Sequence, residues 1–167
     1  MGTKDAVRVC FVCLGNICRS PTAEAVMRHL VKQAGLDGSI EIESAGTGDW
    51  HVGEPRDRRS RDVGERRGMP LSGRARQFVA ADFARFEWVL AMDGKNLNDL
   101  LAMAPDAAAR DKLRRLRSFD PASPPDADVP DPYYGGPEGF DRVFDICVAA
   151  CTGLLETIRA ERGLPYR

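Results

Sequence analysis

The chain has 167 residues, of which 24 are basic, 25 are acidic and five are cysteine. A chain of this length fits one domain and can bury about 70% of the surface that it exposes when unfolded. The nearly balanced charge creates no field for nucleic acid or for a membrane surface, so neither is expected as a partner. No stretch approaches the ~18 apolar residues that span a bilayer, and no apolar signal-peptide core opens the chain.

These features predict a cytoplasmic protein. The odd number of cysteines, without a secretory signal, favours reduced thiols over a framework of structural disulfides.

Apolar strand-like runs alternate with helical periodicity along the chain. The predicted elements are strands at 7–13, 40–45, 87–92 and 113–118, and helices at 21–34, 56–68, 94–104 and 138–161. Such alternation predicts a parallel sheet flanked by helices. We therefore expect an α/β fold with a single domain over residues 1–167, built on a four-stranded parallel sheet with helices on both faces. Ligands of such sheets bind outside the carboxyl ends of the strands.

The first strand leads into Cys-Leu-Gly-Asn-Ile-Cys-Arg-Ser, residues 13–20, and Pro21 then opens the first predicted helix. A turn between strand and helix collects backbone N–H groups that the helix cannot use, and the helix dipole adds partial positive charge. A phosphate fits there, and the same environment favours thiolate over thiol. The sequence therefore predicts a phosphate loop after the first strand, with Cys13 as nucleophile. A buried, inert Cys13 is the alternative.

Other residues of this loop have predicted tasks. The planar fork of Arg19 can hold two phosphate oxygens, and the Ser20 hydroxyl can donate to the sulfur or to the helix start. Gly15 and Asn16 can adopt the left-handed backbone angles of a tight turn. The predicted substrate-binding loop is completed by Leu14, Ile17 and Cys18.

Three strings make the chain resemble the low-molecular-weight protein tyrosine phosphatases over about residues 7–160: Cys13–Glu24, Ser44-Ala45-Gly46-Thr47 and Asp131-Pro132-Tyr133-Tyr134. The resemblance implies a cysteinyl-phosphate intermediate on Cys13, phosphate binding by Arg19 and a general acid at Asp131. It also implies that Asn16 and Ser44 hold the loop in shape. The implied partners are a phosphotyrosine-containing protein substrate and a cognate tyrosine kinase.

No cofactor and no metal are expected, because Arg19 and the backbone supply the positive charge. One departure stands out. Many relatives have a histidine in a His-x-Ala-Arg stretch, and the corresponding stretch here is Gly73-Arg74-Ala75-Arg76. The hydrogen bond of that histidine must be absent or replaced, which puts the rigidity of the loop in doubt.

The segment 119–137 contains six prolines and no helical or strand pattern. Long loops of this kind are functional or disordered, and prolines favour a stiff loop. Pro130 and Pro132 flank Asp131, which we assign as the acid for the leaving phenol and then the base for water. Asp120 and Asp128 are the alternatives.

Three aromatic residues are predicted pocket walls: Trp50, Tyr133 and Tyr134. Their rings can stack on an aromatic leaving group and lengthen the path to Cys13, although plain packing is the alternative. His51 is predicted to be a surface loop residue.

Cys18 has two interpretations. It is either a resolving thiol that traps oxidised Cys13 as a disulfide, or a small residue that fits the turn. The segment from Arg56 to Arg76 has eight arginines and three acids; it is either a solvated surface or a docking site for acidic substrate sequence.

Two other functions share these features. An arsenate reductase needs further cysteines, but none lies between positions 19 and 146, and Cys147 and Cys151 fall on the apolar face of the last helix. A phosphate-binding module without catalysis is disfavoured because both Cys13 and Asp131 are present.

Overall fold

The computed structural model describes residues 6–165. Its elements are β1 (Val7–Cys13), α1 (Arg19–Gln33), β2 (Ile40–Gly46), α2 (Arg58–Arg66), β3 (Trp88–Ala91), α3 (Gly94–Met103), α4 (Ala107–Asp111), β4 (Leu113–Arg115) and α5 (Glu138–Arg162), with 3-10 helices at Ala80–Ala84 and Leu116–Phe119.

The four strands form one parallel sheet in the order β2-β1-β3-β4. Cys13 pairs in register with Gly46 of β2, and Val12 pairs with Ala91 of β3. The chain passes from β1 to β2 on one side and then crosses to β3 on the other. The connection therefore reverses direction at the carboxyl end of β1, which is where sheets of this type bind ligands. The predicted four-stranded parallel sheet is confirmed.

Side chains of β1 alternate between two hydrophobic cores, as they must in a strand. Phe11 and Cys13 share one core with buried residues of α1 and α5, such as Val26 and Phe144. Val12 faces the other core, where it joins buried residues of β3, α3 and α4. Helices thus cover both faces of the sheet, as predicted, and Cys13 is on the face that α1 covers.

Some predicted boundaries are wrong. The first helix begins at Arg19 rather than Pro21; proline is tolerated in this first turn because the N–H groups there have no intrahelical acceptor. The last strand ends at Arg115 instead of residue 118, since Leu116–Phe119 winds into a 3-10 helix. The short α4, whose Asp106 side chain caps Ala109 N at 2.8 Å, was not predicted.

Candidate active site

Cys13 ends β1, and residues 14–18, the Cys13 loop, connect it to α1. Asn16 adopts φ 59° in this loop and donates its backbone N–H to Cys13 Sγ at 3.2 Å. The loop passes directly over the end of β2, because a Cβ on Gly46 would lie 2.7 Å from Leu14 O. Glycine at position 46 is therefore a steric requirement of the loop.

The loop presents unused hydrogen-bond donors. Within residues 6–165, the backbone N–H groups of Leu14, Gly15, Ile17 and Cys18 donate to no protein acceptor. They lie immediately before α1, whose dipole contributes partial positive charge. Free amides at a helix N-terminus, with a thiol beside them, can bind an oxyanion next to the sulfur.

The side-chain amide of Asn16 uses all of its hydrogen-bonding capacity beneath the loop. Its Nδ2 donates to Ser20 Oγ at 2.8 Å and to Ser44 Oγ at 3.0 Å. Its Oδ1 accepts from Arg56 Nη1 at 2.9 Å and from Arg76 N at 3.0 Å. An amide has two donors and two acceptor sites, so this set is complete and fixes the orientation of the group.

The Asn16 amide also sets the direction of the Ser20 hydroxyl. Ser20 Oγ accepts from Asn16, so its one proton is free for another acceptor. Cys13 Sγ lies 2.9 Å away and Ala45 O lies 3.4 Å away. The shorter contact is the one to sulfur, and a hydroxyl that donates there stabilises a thiolate.

Arg19 lines the same cavity as Cys13 and is buried, with 5% of its side chain exposed. Its Nη1 donates to Asp93 Oδ2 at 2.6 Å and to Val129 O at 3.1 Å. Burial alone lowers the pKa of Arg19, but the Cys13 thiolate and the hydrogen bond to Asp93 outweigh it and raise that pKa. The guanidinium is thus charged and held in one orientation.

Asp131 lies opposite Arg19, with its Oδ2 3.8 Å from Arg19 Nη2. Its Oδ1 accepts the backbone N–H of Tyr133 at 3.0 Å, which leaves Oδ2 for the cavity. The chain just before Asp131 is held in place, because Val129 is fully buried and donates its N–H to Met92 O at 2.7 Å.

The two alternative acids have structural partners elsewhere. Asp120 accepts from Ala122 N at 2.9 Å in its own turn. Asp128 accepts from Gly94 N at 3.0 Å and from Arg115 Nη1 at 2.8 Å. Neither lines the cavity beside Cys13.

A cavity of about 450 Å³ opens above the loop, in the usual size range of ligand pockets. Trp50 and Tyr134 form its rim and are 67% and 90% exposed. The Tyr133 and Tyr134 rings meet edge to face at 5.0 Å. The lining consists of Cys13, Leu14, Gly15, Ile17, Cys18, Arg19, Trp50, His51, Asp131, Tyr133 and Tyr134. Asn16, Ser20 and Ser44 are buried behind the loop instead.

His51 lines the cavity, and its contact with Gly15 was not predicted. Its imidazole covers Gly15, where a Cβ would meet His51 Cδ2 at 2.9 Å, and its Nδ1 lies 2.9 Å from Glu54 Oε1. A lone histidine in a loop carries no sequence signal for this position.

Arg59 is the second residue that was missed. Its guanidinium lies 5.1 Å from the ring centroid of Tyr133 and 4.5 Å from that of Phe140, and its Nη1 donates to Tyr133 O at 3.1 Å. It therefore ties the segment after Asp131 to α2.

Several arginines of the arginine-rich segment bind acidic residues within the fold. Arg66 and Arg67 both bind Asp141 of α5, and Arg76 binds buried Asp82 at 3.1 Å. Much of its charge thus connects elements of the fold.

Arg56 lies beside Gly73, the position where the resemblance leads one to expect a histidine. Gly73 has φ +81°, and a Cβ there would lie 3.3 Å from Arg56 Nη2. That guanidinium donates to Asn16 Oδ1 at 2.9 Å, so the loop has a hydrogen bond from this side without a histidine.

Three other cysteines are buried and have raised pKa values. Burial raises the pKa of Cys18 to about 12, helped by Asp57 and the Cys13 thiolate. Burial also raises the pKa of Cys147 to about 12 and raises that of Cys151 well above its usual value. Both side chains of that pair are fully buried, which confirms the prediction of core packing.

Residues 6–165 contain no cluster of three or more His, Cys, Asp or Glu that could hold a metal ion. None of their helices is both long and apolar enough to cross a bilayer.

Fold and site together define an α/β protein with a cysteine at the anion-binding end of a parallel sheet. The family model of low molecular weight phosphotyrosine protein phosphatase matches residues 8–164. The chain therefore belongs to this family, and it is a hydrolase of the protein tyrosine phosphatase class.

Individual proteins agree with this assignment. The low molecular weight protein-tyrosine-phosphatase of Streptomyces coelicolor is 50% identical over 92% of this chain and 94% of its own length. The human low molecular weight phosphotyrosine protein phosphatase is 41% identical over 93% and 98%. A crystal structure of protein tyrosine phosphatase from Entamoeba histolytica, with Hepes in the active site, is similar at TM-score 0.88 and 40% identity, over 95% of this chain and 99% of that one.

Proposed function

We propose that this protein hydrolyses phosphotyrosine in proteins through a cysteinyl-phosphate intermediate on Cys13. One observation carries the proposal: Cys13, the loop residues with free N–H groups, Arg19 and Asp131 all line one cavity. A phosphate dianion placed there would have the nucleophile beneath phosphorus and donors at its equatorial oxygens.

In the first step, the Cys13 thiolate attacks phosphorus and the P–O bond to the tyrosine breaks. The bonding pair goes to the phenolic oxygen, which takes the proton from Asp131 Oδ2. Charge on the bound phosphate favours the protonated form of this carboxyl before the step, since two anions close together resist joint ionisation.

In the second step, water attacks phosphorus and gives a proton to the Asp131 carboxylate. The S–P bond breaks, its electron pair returns to Cys13 as thiolate, and inorganic phosphate leaves. The Ser20 hydroxyl, 2.9 Å from the sulfur, stabilises this departing thiolate.

The exposed rings of Trp50 and Tyr134 support an aromatic substrate. They extend the cavity away from Cys13, and a short phosphoserine side chain would not reach the sulfur between them. A phosphotyrosine-containing protein is thus the proposed partner, and a tyrosine kinase that phosphorylates the same protein is the second. The reaction is proposed to need no metal and to take place in the cytoplasm.

We test the mechanism with Cys13→Ser, Asp131→Ala and, as a matched control in the same proline-rich loop, Asp126→Ala. Cys13→Ser should abolish hydrolysis of p-nitrophenyl phosphate, and EDTA should leave the wild-type rate unchanged. Asp131→Ala should slow turnover by about 10²–10⁴-fold, the usual contribution of a general acid, and should capture phosphotyrosine proteins from a lysate. Asp126→Ala should behave as wild type.

Other outcomes separate the rival functions. Phosphopeptide binding without hydrolysis by the wild type would indicate a binding module. Thioredoxin-coupled arsenate turnover would indicate a reductase. Metal-dependent turnover would refute the proposed chemistry.

A further inference from the structure

Arg56 is a buried cation directly beneath the Cys13 loop, with 5% of its side chain exposed. It precedes α2 and reaches the loop with its full guanidinium. Nη1 donates to both oxygens of Asn16, to O at 2.8 Å and to Oδ1 at 2.9 Å. Nη2 lies 3.4 Å from Ser44 Oγ and 3.5 Å from Glu24 Oε1. The two N–H groups of Arg56 Nη1 thus bind Asn16, the residue with the left-handed backbone.

Two further hydrogen bonds hold Arg56 in this position. The side-chain Nε of Arg56 donates to Ser72 O at 3.0 Å, next to Gly73. Asp57 N donates to Ile17 O at 2.9 Å, which attaches the following residue to the Cys13 loop as well. A side chain at position 73 would compete for the same space, since its Cβ would lie 3.3 Å from Nη2. Arginine at 56 and glycine at 73 are therefore compatible with each other as a pair.

Arg56 shares its carboxylate partner, Glu24, with a second arginine. Glu24 also binds Arg28, at 2.8 Å, so one carboxylate serves two guanidinium groups. The pKa of Arg56 is lowered, chiefly by burial and further by the positive charges of Arg28 and Arg76. Negative charge on Glu24 and Cys13 acts in the opposite direction. An arginine nonetheless stays protonated at every pH at which the protein is folded. Besides Glu24, the Cys13 thiolate is the negative group that acts on Arg56.

We propose that Arg56 is a positioning residue for Cys13: it holds Asn16 in its left-handed conformation and places a permanent positive charge behind the sulfur. The two hydrogen bonds to Asn16 hold the conformation, and the buried guanidinium supplies the charge. Unlike a histidine, which loses its charge near pH 6.5, it keeps the thiolate stabilised across the neutral range. The effect on turnover rests on the proposed function, whereas the effect on thiol reactivity does not.

The test compares Arg56→Gln and Arg56→Lys with a matched control, Arg67→Gln. Arg67 belongs to the same arginine-rich segment and binds Asp141 and Asp145 of α5, away from the loop. The rate at which iodoacetamide labels Cys13 is followed against pH by mass spectrometry. kcat and KM for p-nitrophenyl phosphate are measured against pH, and unfolding is measured in urea.

Arg56→Gln should move the midpoint of the labelling curve upward by about one pH unit, a tenfold loss of thiolate below it. Its kcat should fall about tenfold at pH 6 with KM within about threefold, because a chemical step and not substrate binding is affected. Arg56→Lys should restore the midpoint but only part of kcat, because an ammonium is a point charge that does not match the two oxygens of Asn16. Arg67→Gln should change neither quantity.

An unchanged labelling midpoint in Arg56→Gln, with a loss of stability similar to that of Arg67→Gln, would show that Arg56 only packs. If Arg56→Gln does not fold, Arg56→Lys decides: wild-type kcat would overturn the positioning role, and a midpoint a full unit higher would overturn the electrostatic role. Labelling requires no turnover. A wild-type protein that labels as expected but hydrolyses nothing would contradict the proposed function and leave this inference standing.

Discussion

Asn16 Nδ2 donates to Ser20 Oγ at 2.8 Å, and this bond leaves the Ser20 proton free for the Cys13 sulfur 2.9 Å away. The side-chain amide of Asn16 thereby determines which acceptor the Ser20 hydroxyl can donate to. Asn16 itself contacts the sulfur through its backbone N–H.

Ser20→Ala removes the hydroxyl that stabilises the sulfur anion when it leaves phosphorus. We expect kcat to fall about tenfold or more, since a hydrogen bond to a charged group contributes roughly 1.5–3 kcal/mol. Hydrolysis of the intermediate should slow more than its formation, and stopped-flow measurements with p-nitrophenyl phosphate should show a burst of p-nitrophenol. Ser118→Ala, at an exposed serine bonded to Arg115 O, is the control. A wild-type kcat without a burst would contradict this role of Ser20.

Arg59→Ala removes the cation that lies over Tyr133 and bonds its carbonyl. The segment after Asp131 should become more mobile, because it loses a contact with α2. We expect kcat to fall about threefold to tenfold, as a misplaced catalytic group is costly. Arg58→Ala is a closely matched control, because Arg58 is the adjacent arginine and its side chain is 86% exposed. Equal kinetics for the two variants would mean that Arg59 does not order the acid.

Gly73→Ala introduces a Cβ at a left-handed position and 3.3 Å from Arg56 Nη2. Gly68→Ala introduces the same group at φ +73°, with no atom within 4 Å. Both should lose about 1–2 kcal/mol of unfolding free energy from backbone strain. Only Gly73→Ala should also lower kcat, because only there does the Cβ crowd the guanidinium below the loop. Urea unfolding and steady-state kinetics of the two variants provide the comparison, and parallel kcat values would argue against that crowding.

Cys18→Ser tests the hypothesis that Cys18 protects Cys13. Peroxide converts the Cys13 thiolate to sulfenic acid, and Cys18 then forms the disulfide with release of water. The pKa of Cys18 is raised to about 12. Its thiolate fraction therefore increases about tenfold per pH unit through neutrality, and disulfide formation should become faster as pH rises.

After peroxide, the wild type should regain activity with dithiothreitol, while Cys18→Ser should lose a large share permanently. Cys147→Ala, at a buried cysteine of α5, is the control. Recovery of Cys18→Ser to the wild-type level would leave Cys18 as a small residue that fits the turn.

The choice among the three aspartates of the proline-rich segment shows where local information ends. The flanking prolines and the Asp-Pro-Tyr-Tyr string favour Asp131, but Asp120 and Asp128 lie in the same segment and stay alternatives from the sequence. The structure separates them by what their oxygens bind: a turn, the start of α3, and the side of the cavity facing Arg19. Ala122 is only two residues from Asp120, but Gly94 and Arg19 are far from Asp128 and Asp131 in the chain, so no local pattern reports those two contacts.

The sequence by itself determined the parallel sheet, its flanking helices and the position of the Cys13 loop. These depend on the period of apolar residues and on a short strand-to-helix string, both of which act between neighbours in the chain. Only the tertiary structure decided what supports the loop. Arg56 is 40 residues from Asn16, and its contact with both oxygens exists because the turn before α2 packs beneath the loop while Gly73 leaves the space open.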